Sequence, residues 1–217
     1  MTGKKGVILK RLTVGKILLI FLIIYIGFLV LPYVCHKKVP ASYQESFDVS
    51  SFYGSGPGPE RTAYIDNNDD ALLWRLRLIE EAREEIILST FDFKSDEAGK
   101  DIIAALMQAS DRGVQVRVIV DGFNGVLKLT GNKYFKALVS CPGVSIKIYN
   151  PISPFGPWDM QARLHDKYLI IDNSMYMLGG RNTMELFLGD YSPEKMWIGS
   201  CLCTRRNSRM KTPPFLS

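Results

Sequence analysis

Residues 163–182 read RLHDKYLIIDNSMYMLGGRN, and this stretch does more than any other to fix the predicted structure. His165 and Lys167 are two residues apart, Asp172 follows after a short apolar run, and Asn182 ends a Gly-Gly-Arg-Asn sequence. A histidine and a lysine this close together, followed by a carboxylate and an amide, have the composition of a catalytic cluster. We therefore take this stretch as the candidate site and ask how the rest of the chain supports it.

The stretch predicts a β-hairpin. Residues 163–171 have the apolar content of a strand, and side chains two apart on a strand share a face, so Arg163, His165 and Lys167 should project together. Residues 172–174 supply turn chemistry, and residues 175–178 return as the partner strand. Gly179 and Gly180 would let backbone approach backbone or ligand where a Cβ would collide.

A single histidine is more often structural than catalytic, so His165 alone would carry little weight. It is, however, the only histidine of the predicted domain, and it shares a face with two cations that could hold a phosphate. An imidazole can also act as a nucleophile or proton shuttle near neutral pH. These features favour a catalytic His165.

The region before this stretch alternates helices and strands, which predicts an α/β fold with a mixed or parallel sheet flanked by helices. We expect a helix capped by Asp69 or Asp70 and running from Ala71 to about Glu85. The other predicted elements are strand 86–91, helix 96–112, strand 114–120, a turn at 121–122, helix 133–139 and strand 144–149. Residues 150–161 contain several prolines with Phe155 and Trp158, so they should form a loop that either lines a substrate cleft or is pinned to the core.

The charge distribution argues against broad nucleic-acid binding. The net charge is +5, but residues 1–40 carry seven Lys/Arg and no acid, and residues 197–217 carry four and no acid. Residues 41–196 carry 16 Lys/Arg against 22 Asp/Glu. The central domain is thus mildly acidic, whereas charge-driven nucleic-acid binding requires a basic face.

The N-terminal part of the chain predicts a membrane anchor. Residues 17–35 form 19 consecutive positions without a formal charge, close to the length that crosses a bilayer as a helix. More cations precede this run than follow it, which favours a single-pass protein of the cell membrane with a cytoplasmic N-terminus and an extracytoplasmic domain. A cleaved signal peptide is the alternative, but the apolar run is longer than the usual signal core.

These features predict four regions. They are an anchor at residues 1–38, a Gly/Pro/Ser-rich linker at 39–63, the α/β domain at 64–196 and an atypical tail at 197–217. The four cysteines form neither a disulfide framework nor a CxxC metal motif, and we interpret them as incidental.

The pattern His165-x-Lys167-x4-Asp172-x6-Gly179-Gly180-x-Asn182 resembles the HKD motif of the phospholipase D superfamily. With Arg163 and the Gly-Gly-Arg-Asn sequence, it is most similar to the cardiolipin synthase-like branch. Segments resembling the strands and helix upstream of the family's first motif extend the likeness over residues 64–196.

The resemblance implies phosphodiester chemistry through a covalent phosphohistidine, with no metal and no cofactor. His165 would attack phosphorus or protonate the leaving alcohol, while Lys167, Asn182 and Arg163 would bind the phosphate oxygens. Asp172 would support histidine positioning and local structure. The substrate would be a membrane phospholipid similar to phosphatidylglycerol, whose phosphatidyl group passes to an acceptor.

Members of this family use two such motifs, which face each other in one chain or across a dimer. This chain contains only one. His36-Lys37-Lys38 has the H-x-K spacing but no matching Asp or Gly-Gly, so we interpret it as a membrane flank. We therefore expect one of three cases: a homodimer that pairs two copies of His165, a truncated or frameshifted inactive half-enzyme, or a dimeric single-motif phosphodiesterase or nuclease. The acidic domain disfavours the nuclease.

Overall fold

A computed structural model describes residues 2–35, 38–52, 56, 58 and 60–205. His36 and Lys37 of the predicted membrane flank, positions 53–55, 57 and 59 of the linker and residues 206–217 of the predicted tail lie outside these residues. The described chain forms two compact units. One comprises residues of 1–53 together with Ile152–Ala162, and the other comprises residues of 54–151 and 163–217.

The first unit is built on one long apolar helix, α1, at Thr2–Val34. Its segment Thr13–Val34 spans 22 residues with a mean hydropathy of 2.8, and none of that apolar stretch is buried in protein. The helix is thus long and apolar enough to cross a bilayer. A short helix, α2 at Ala41–Ser46, and a 3-10 turn at Val49–Phe52 follow it.

The second unit is a seven-stranded sheet with helices. Its strands are β1 at Glu60–Ile65, β2 at Glu85–Thr90, β3 at Gln115–Asp121, β4 at Val144–Tyr149, β5 at Tyr168–Ile171, β6 at Met175–Gly179 and β7 at Ser200–Arg205. Its helices are α3 at Asn68–Glu81, α4 at Glu97–Asp111, α5 at Gly122–Lys128 and α6 at Lys133–Ser140.

The sheet is mixed. Its strand order is β1-β7-β6-β5-β2-β3-β4, in which β2, β3 and β4 run parallel and the other neighbours are antiparallel. Apolar side chains of β2 and β3, such as Ile86, Val116 and Val118, are almost fully buried, as expected for strands covered by helices. The predicted α/β class and mixed sheet are confirmed.

The predicted start and end of the first domain helix were wrong. Asn67, rather than Asp69 or Asp70, caps α3, because its side chain accepts a 2.7 Å hydrogen bond from the Asp70 amide. The helix ends at Glu81 rather than near Glu85, and the residues that follow lead directly into β2. The helix therefore ends about four residues earlier than the apolar periodicity suggested, while β2 begins within one residue of its predicted start.

Three elements were not predicted. Residues 60–65 form β1 and residues 122–128 form the helix α5, where only a turn was expected. Residues 200–205, which the sequence assigned to an atypical tail, form β7 between β1 and β6. Leu202 of this strand is completely buried, so the sheet domain extends beyond the predicted boundary at residue 196.

Candidate active site

The segment before β5 is not the strand that the sequence predicted. Pairing in β5 begins at Tyr168, so residues 163–167 lie in an irregular segment and the expected common face does not follow from strand geometry. The buried carboxylate of Asp121 holds this segment instead. Its Oδ2 accepts from the Leu164 amide at 2.9 Å, and its Oδ1 lies 3.6 Å from the Arg163 guanidinium.

Arg163 is largely engaged within the protein. Besides its contact with Asp121, its guanidinium donates a 2.7 Å hydrogen bond to the carbonyl of Asn150. Its side chain is only 22% exposed. The predicted phosphate-binding arginine thus also fastens the chain immediately before His165.

His165 is exposed and lies against the ring of Phe91. The two ring centroids are 5.0 Å apart in an edge-to-face arrangement, a geometry that favours a defined ring orientation. Phe91 directly follows β2 and is itself placed by Asn124, whose side-chain amide donates to the Phe91 carbonyl at 3.2 Å. An accessible imidazole on a fixed aromatic support can meet a substrate.

Lys167 lies on the same aromatic ring. Its ammonium is 5.6 Å from the centroid of Phe91 and donates a 2.7 Å hydrogen bond to the carbonyl of His165. The residue is only 8% exposed, and burial lowers the pKa of its ammonium, while the charge of Asp166 acts in the opposite direction. Lys167 is therefore a partly desolvated cation beside the histidine.

Asn182 reaches the same region from the other end of the motif. Its side-chain oxygen accepts a 3.3 Å hydrogen bond from the amide of Asp92. The two segments run side by side, since Thr183 pairs with Phe93 and accepts from the Lys94 amide at 3.1 Å. Within the described residues, the side-chain NH2 of Asn182 has no hydrogen-bond partner, which leaves it available as a donor.

Residues that directly follow β2 therefore bring three motif side chains together, whereas sequence analysis expected His165 and Lys167 to share a strand face with Arg163. His165 and Lys167 contact Phe91, and Asn182 contacts Asp92. Sequence analysis missed both, because Phe91 was counted as part of a buried strand. The signal was present, since Asp92 is a polar residue that directly follows an apolar strand, where functional side chains often lie.

Asp92 adds a further charge to this region. It is 8% exposed, and its Oδ2 forms a 2.5 Å ion pair with Lys128 at the end of α5. Among the described residues its Oδ1 is buried without a hydrogen-bond partner. The site thus contains a nearly buried carboxylate paired with a second lysine, neither of which the motif includes.

Asp172 lies at the opposite end of β5. The five steps from Lys167 to Asp172 span about 17 Å at the usual rise of an extended chain. There, the carboxylate of Asp172 accepts hydrogen bonds from the backbone amides of Arg83, Glu84 and Glu85, each at 2.9 Å. These bonds tie the turn between β5 and β6 to the start of β2.

Arg181 is a buried anchor rather than a surface group. It is 1% exposed, and its guanidinium donates to side chains or carbonyls of Asn68, Ser200, Ile65, Asp66 and Phe187. Desolvation lowers its pKa. Arg181 joins β1, α3 and β7 directly beside Asn182.

The two glycines of the motif allow a close approach between strands. A Cβ on Gly179 would lie 2.6 Å from Ser200 Oγ and 2.8 Å from the Gly199 carbonyl, and one on Gly180 would lie 2.5 Å from Ile198. The approaching chain is the start of β7 and the residues before it, not a ligand. Both glycines thus serve the packing behind Asn182.

An apolar cavity of about 420 Å³ lies elsewhere in the sheet unit, between α6 and β4. Its lining includes Phe135, Val139, Ile146 and Ile148 and none of the motif side chains. In the part of the chain that the structure describes, no three His, Cys, Asp or Glu side chains are grouped to hold a metal ion. Cavity size therefore does not identify the site, whereas the convergence of polar groups does.

Comparison with known proteins agrees with this geometry. Residues 76–188, more than half of the chain, match the family described as "Cardiolipin synthase, PLD-like domain". Cardiolipin synthase 1 of Bacillus cereus is 31% identical over 160 residues, covering 71% of this chain and 30% of that protein. Cardiolipin synthase B of Escherichia coli K12 is 35% identical over 132 residues, covering 60% of this chain and 31% of that protein.

The chain spans about a third of the length of these curated relatives. Among solved structures, NucT from Helicobacter pylori shares the fold with a TM-score of 0.53 at 18% identity. The match covers 68% of this chain and 87% of that one. The chain therefore belongs to the cardiolipin synthase-like, phospholipase D-like domain family, as the motif around His165 predicted.

Proposed function

We propose that this protein is a membrane-anchored phosphatidyltransferase or phosphodiesterase of the phospholipase D type, most similar to cardiolipin synthase, and that it acts through a phosphohistidine. One observation carries the proposal: His165, Lys167 and Asn182 converge on Phe91 and Asp92 at the end of β2. An exposed imidazole beside a desolvated ammonium and an unused amide donor suits attack on a phosphodiester.

In the proposed reaction, an imidazole nitrogen of His165 attacks phosphorus. The new N–P bond forms as the P–O bond to the leaving alcohol breaks, and an acid protonates that alcohol's oxygen. The hydroxyl of an acceptor, such as a second phosphatidylglycerol, then attacks phosphorus, loses its proton to the same group and releases His165. Water as the acceptor would give hydrolysis.

Lys167 and Asn182 would bind the non-bridging phosphate oxygens. Their value is greatest in the transition state, where charge on these oxygens increases and donors already fixed in place need no reorganisation. The Arg163 guanidinium would contribute a longer-range positive charge while it remains engaged with Asp121 and Asn150. Asp172 would act by positioning the hairpin, since its carboxylate is occupied by backbone amides.

The acid that protonates the leaving alcohol would be a second histidine. It would come from a second copy of this chain or from a further half-domain like those of the longer relatives. If neither source exists, the protein is an inactive half-enzyme; a dimeric single-motif nuclease is the other alternative.

The proposed location is the cell membrane, with α1 as a single span. The 22-residue apolar segment supplies the span, and the excess of lysine and arginine before it favours a cytoplasmic N-terminus. The catalytic domain would then face the extracytoplasmic side, with access to phospholipid headgroups.

Lipid analysis of cells that lack their own cardiolipin synthases tests this function. The full chain should restore cardiolipin, and His165→Ala should remove it without changing the amount of protein in the membrane. Asp111→Ala, at an exposed position on α4, is the matched control and should behave as wild type. Undiminished cardiolipin in His165→Ala would refute the mechanism, and none in wild type would favour the inactive half-enzyme.

A further inference from the structure

The loop Ile152–Ala162 belongs to the same compact unit as α1. It carries a 3-10 turn at Pro157–Asp159 and two large aromatic side chains. Phe155 is 89% exposed and Trp158 is 48% exposed. Two exposed aromatics close together on one short loop form an apolar surface of the kind that contacts a partner or a membrane.

The loop packs along the C-terminal half of α1. The Trp158 ring meets the Phe28 ring edge to face, with centroids 5.8 Å apart, and the Tyr25 hydroxyl donates to the Met160 sulfur at 3.7 Å. The expectation that the loop aromatics are pinned to the domain core is therefore wrong for Trp158, which packs on the apolar helix.

A polar contact fixes the loop at the same level of α1. The side-chain amide of Gln161 donates to the carbonyl of Leu29. Pro32 lies inside the helix and has no N–H, so the helix loses the hydrogen bond that would close on the Phe28 carbonyl. Gln161 bonds the neighbouring Leu29 carbonyl rather than that of Phe28, so the contact gives the Gln161 amide an acceptor that it would otherwise lack in an apolar surrounding.

The depth of these contacts on α1 matches the boundary of a bilayer. Phe28 and Leu29 lie five to six residues before Val34, where the helix ends, which is about 8–9 Å along the axis at 1.5 Å per residue. Interfacial segments bury their apolar side chains about 5–10 Å into the region between headgroups and acyl chains. Tryptophan is enriched at this level, where its ring is apolar and its N–H remains hydrated.

We propose that the loop Ile152–Ala162 is a lipid-contact element whose side chains Phe155 and Trp158 insert into the outer boundary of the bilayer that α1 spans. This inference rests on the membrane anchoring of the proposed function. Because the loop continues directly into Arg163 and the His165 segment, it would couple lipid contact to the chain that carries the nucleophile.

Quenching of tryptophan fluorescence tests the proposal on the full chain in phosphatidylglycerol-containing vesicles. The variant Trp74→Phe/Trp197→Phe leaves Trp158 as the reporter. Phospholipids brominated near the headgroup should reduce its emission about twofold, as expected for a ring at interfacial depth, while aqueous iodide should have little effect. The variant Trp74→Phe/Trp158→Phe reports Trp197, which is 69% exposed and should respond to iodide instead.

Two outcomes would overturn the proposal. Quenching of Trp158 by iodide but not by brominated lipid would place the loop in water, and protection from both quenchers would indicate that protein, such as a second copy, covers it. Trp74 is buried, so if Trp74→Phe fails to fold, the signal of Trp158 is obtained as the difference between wild type and Trp158→Phe.

The result is separable from the proposed function. Alkaline extraction of the same membranes shows whether α1 anchors the chain, and lipid analysis shows whether the site is active. An anchored protein whose Trp158 is quenched only by iodide would exclude the loop insertion and leave the proposed function intact. An extracted protein would instead reject the anchor on which both proposals rest.

Discussion

Replacing Asp172 should destabilise the domain because its carboxylate holds three backbone amides at 2.9 Å. Hydrogen bonds to charged groups contribute about 1.5–3 kcal/mol each when buried. Those from Arg83 and Glu84 are exposed, so water can replace part of them. The low end of the range would give about 4.5 kcal/mol for three bonds, and the discount for the two exposed ones reduces the expected loss to about 3 kcal/mol.

Backbone conformation adds to this loss in Asp172→Ala. Asp172 has a φ of 49°, in the left-handed region, which costs an alanine about 1 kcal/mol and asparagine less. Asp172→Ala should thus cost about 4 kcal/mol, or roughly 8–16 °C in melting temperature for a domain of this size. Asp172→Asn keeps an acceptor oxygen and tolerates the φ, so we expect about half that cost.

Thermal unfolding of the full chain in mild detergent, followed by circular dichroism, measures these shifts. Asn173→Ala is the matched control, because Asn173 has a φ of 51° while the amides of residues 83–85 donate to Asp172 instead. It should lose only the conformational part, about 1 kcal/mol. If Asp172→Ala melts within 2 °C of Asn173→Ala, the three hydrogen bonds do not stabilise the hairpin and the positioning role is wrong.

Three further outcomes are expected. Because burial lowers the pKa of Lys167, binding of short-chain phosphatidylglycerol should weaken as pH rises through that lowered value. Lys167→Arg should move this weakening to higher pH, since a guanidinium stays charged. Equal midpoint pH values for binding by wild type and Lys167→Arg would contradict this. Gly179→Ala should destabilise the domain by about 1–3 kcal/mol in a denaturant titration, since its Cβ would clash with Ser200. An unchanged unfolding midpoint would show that β7 can shift to admit the methyl group without a loss of stability. Arg181→Met should lower the free energy of unfolding by about 3 kcal/mol or more, since five partners, four of them buried, lose a donor. Arg181→Lys should not restore stability, because one ammonium cannot reach them all.

Sequence periodicity predicted most of the sheet domain. Strands 86–91, 114–120 and 144–149 and the helix capped by Asp96 agree with the structure to within about a residue or two, the usual uncertainty of such boundaries. These elements are long, apolar and bounded by clear caps or turns. The strand β7 was missed because its sequence SCLCTR has one large apolar residue, Leu202, and no apolar alternation, and only its pairing with β1 and β6 makes it a strand.

The composition of the candidate site was predictable, but its geometry was not. The spacing of His165, Lys167 and Asn182 identified the residues, whereas the strand that was meant to align them begins only at Tyr168. Their convergence depends on Phe91 and Asp92, which lie some 70 or more positions earlier in the chain. Such a contact arises from the antiparallel pairing of β2 with β5, which local sequence cannot specify.

The role of Asp172 illustrates the same limit. Its position in the motif suggested support of the histidine, and its local sequence correctly indicated a turn. The partners of its carboxylate are the amides of residues 83–85, which become available because α3 ends at Glu81 rather than near Glu85. The error in the helix boundary therefore concealed the structural contribution of this aspartate.

The central claim is that His165 forms a covalent bond to phosphorus, and trapping that intermediate tests it most directly. The full chain would be mixed with isotopically labelled phosphatidylglycerol, stopped within the first turnover and digested under alkaline conditions that preserve N–P bonds. Mass spectrometry should then find a phosphatidyl group on the peptide containing His165, and none in His165→Ala. Cardiolipin formation with no adduct, or an adduct on another residue, would contradict the account.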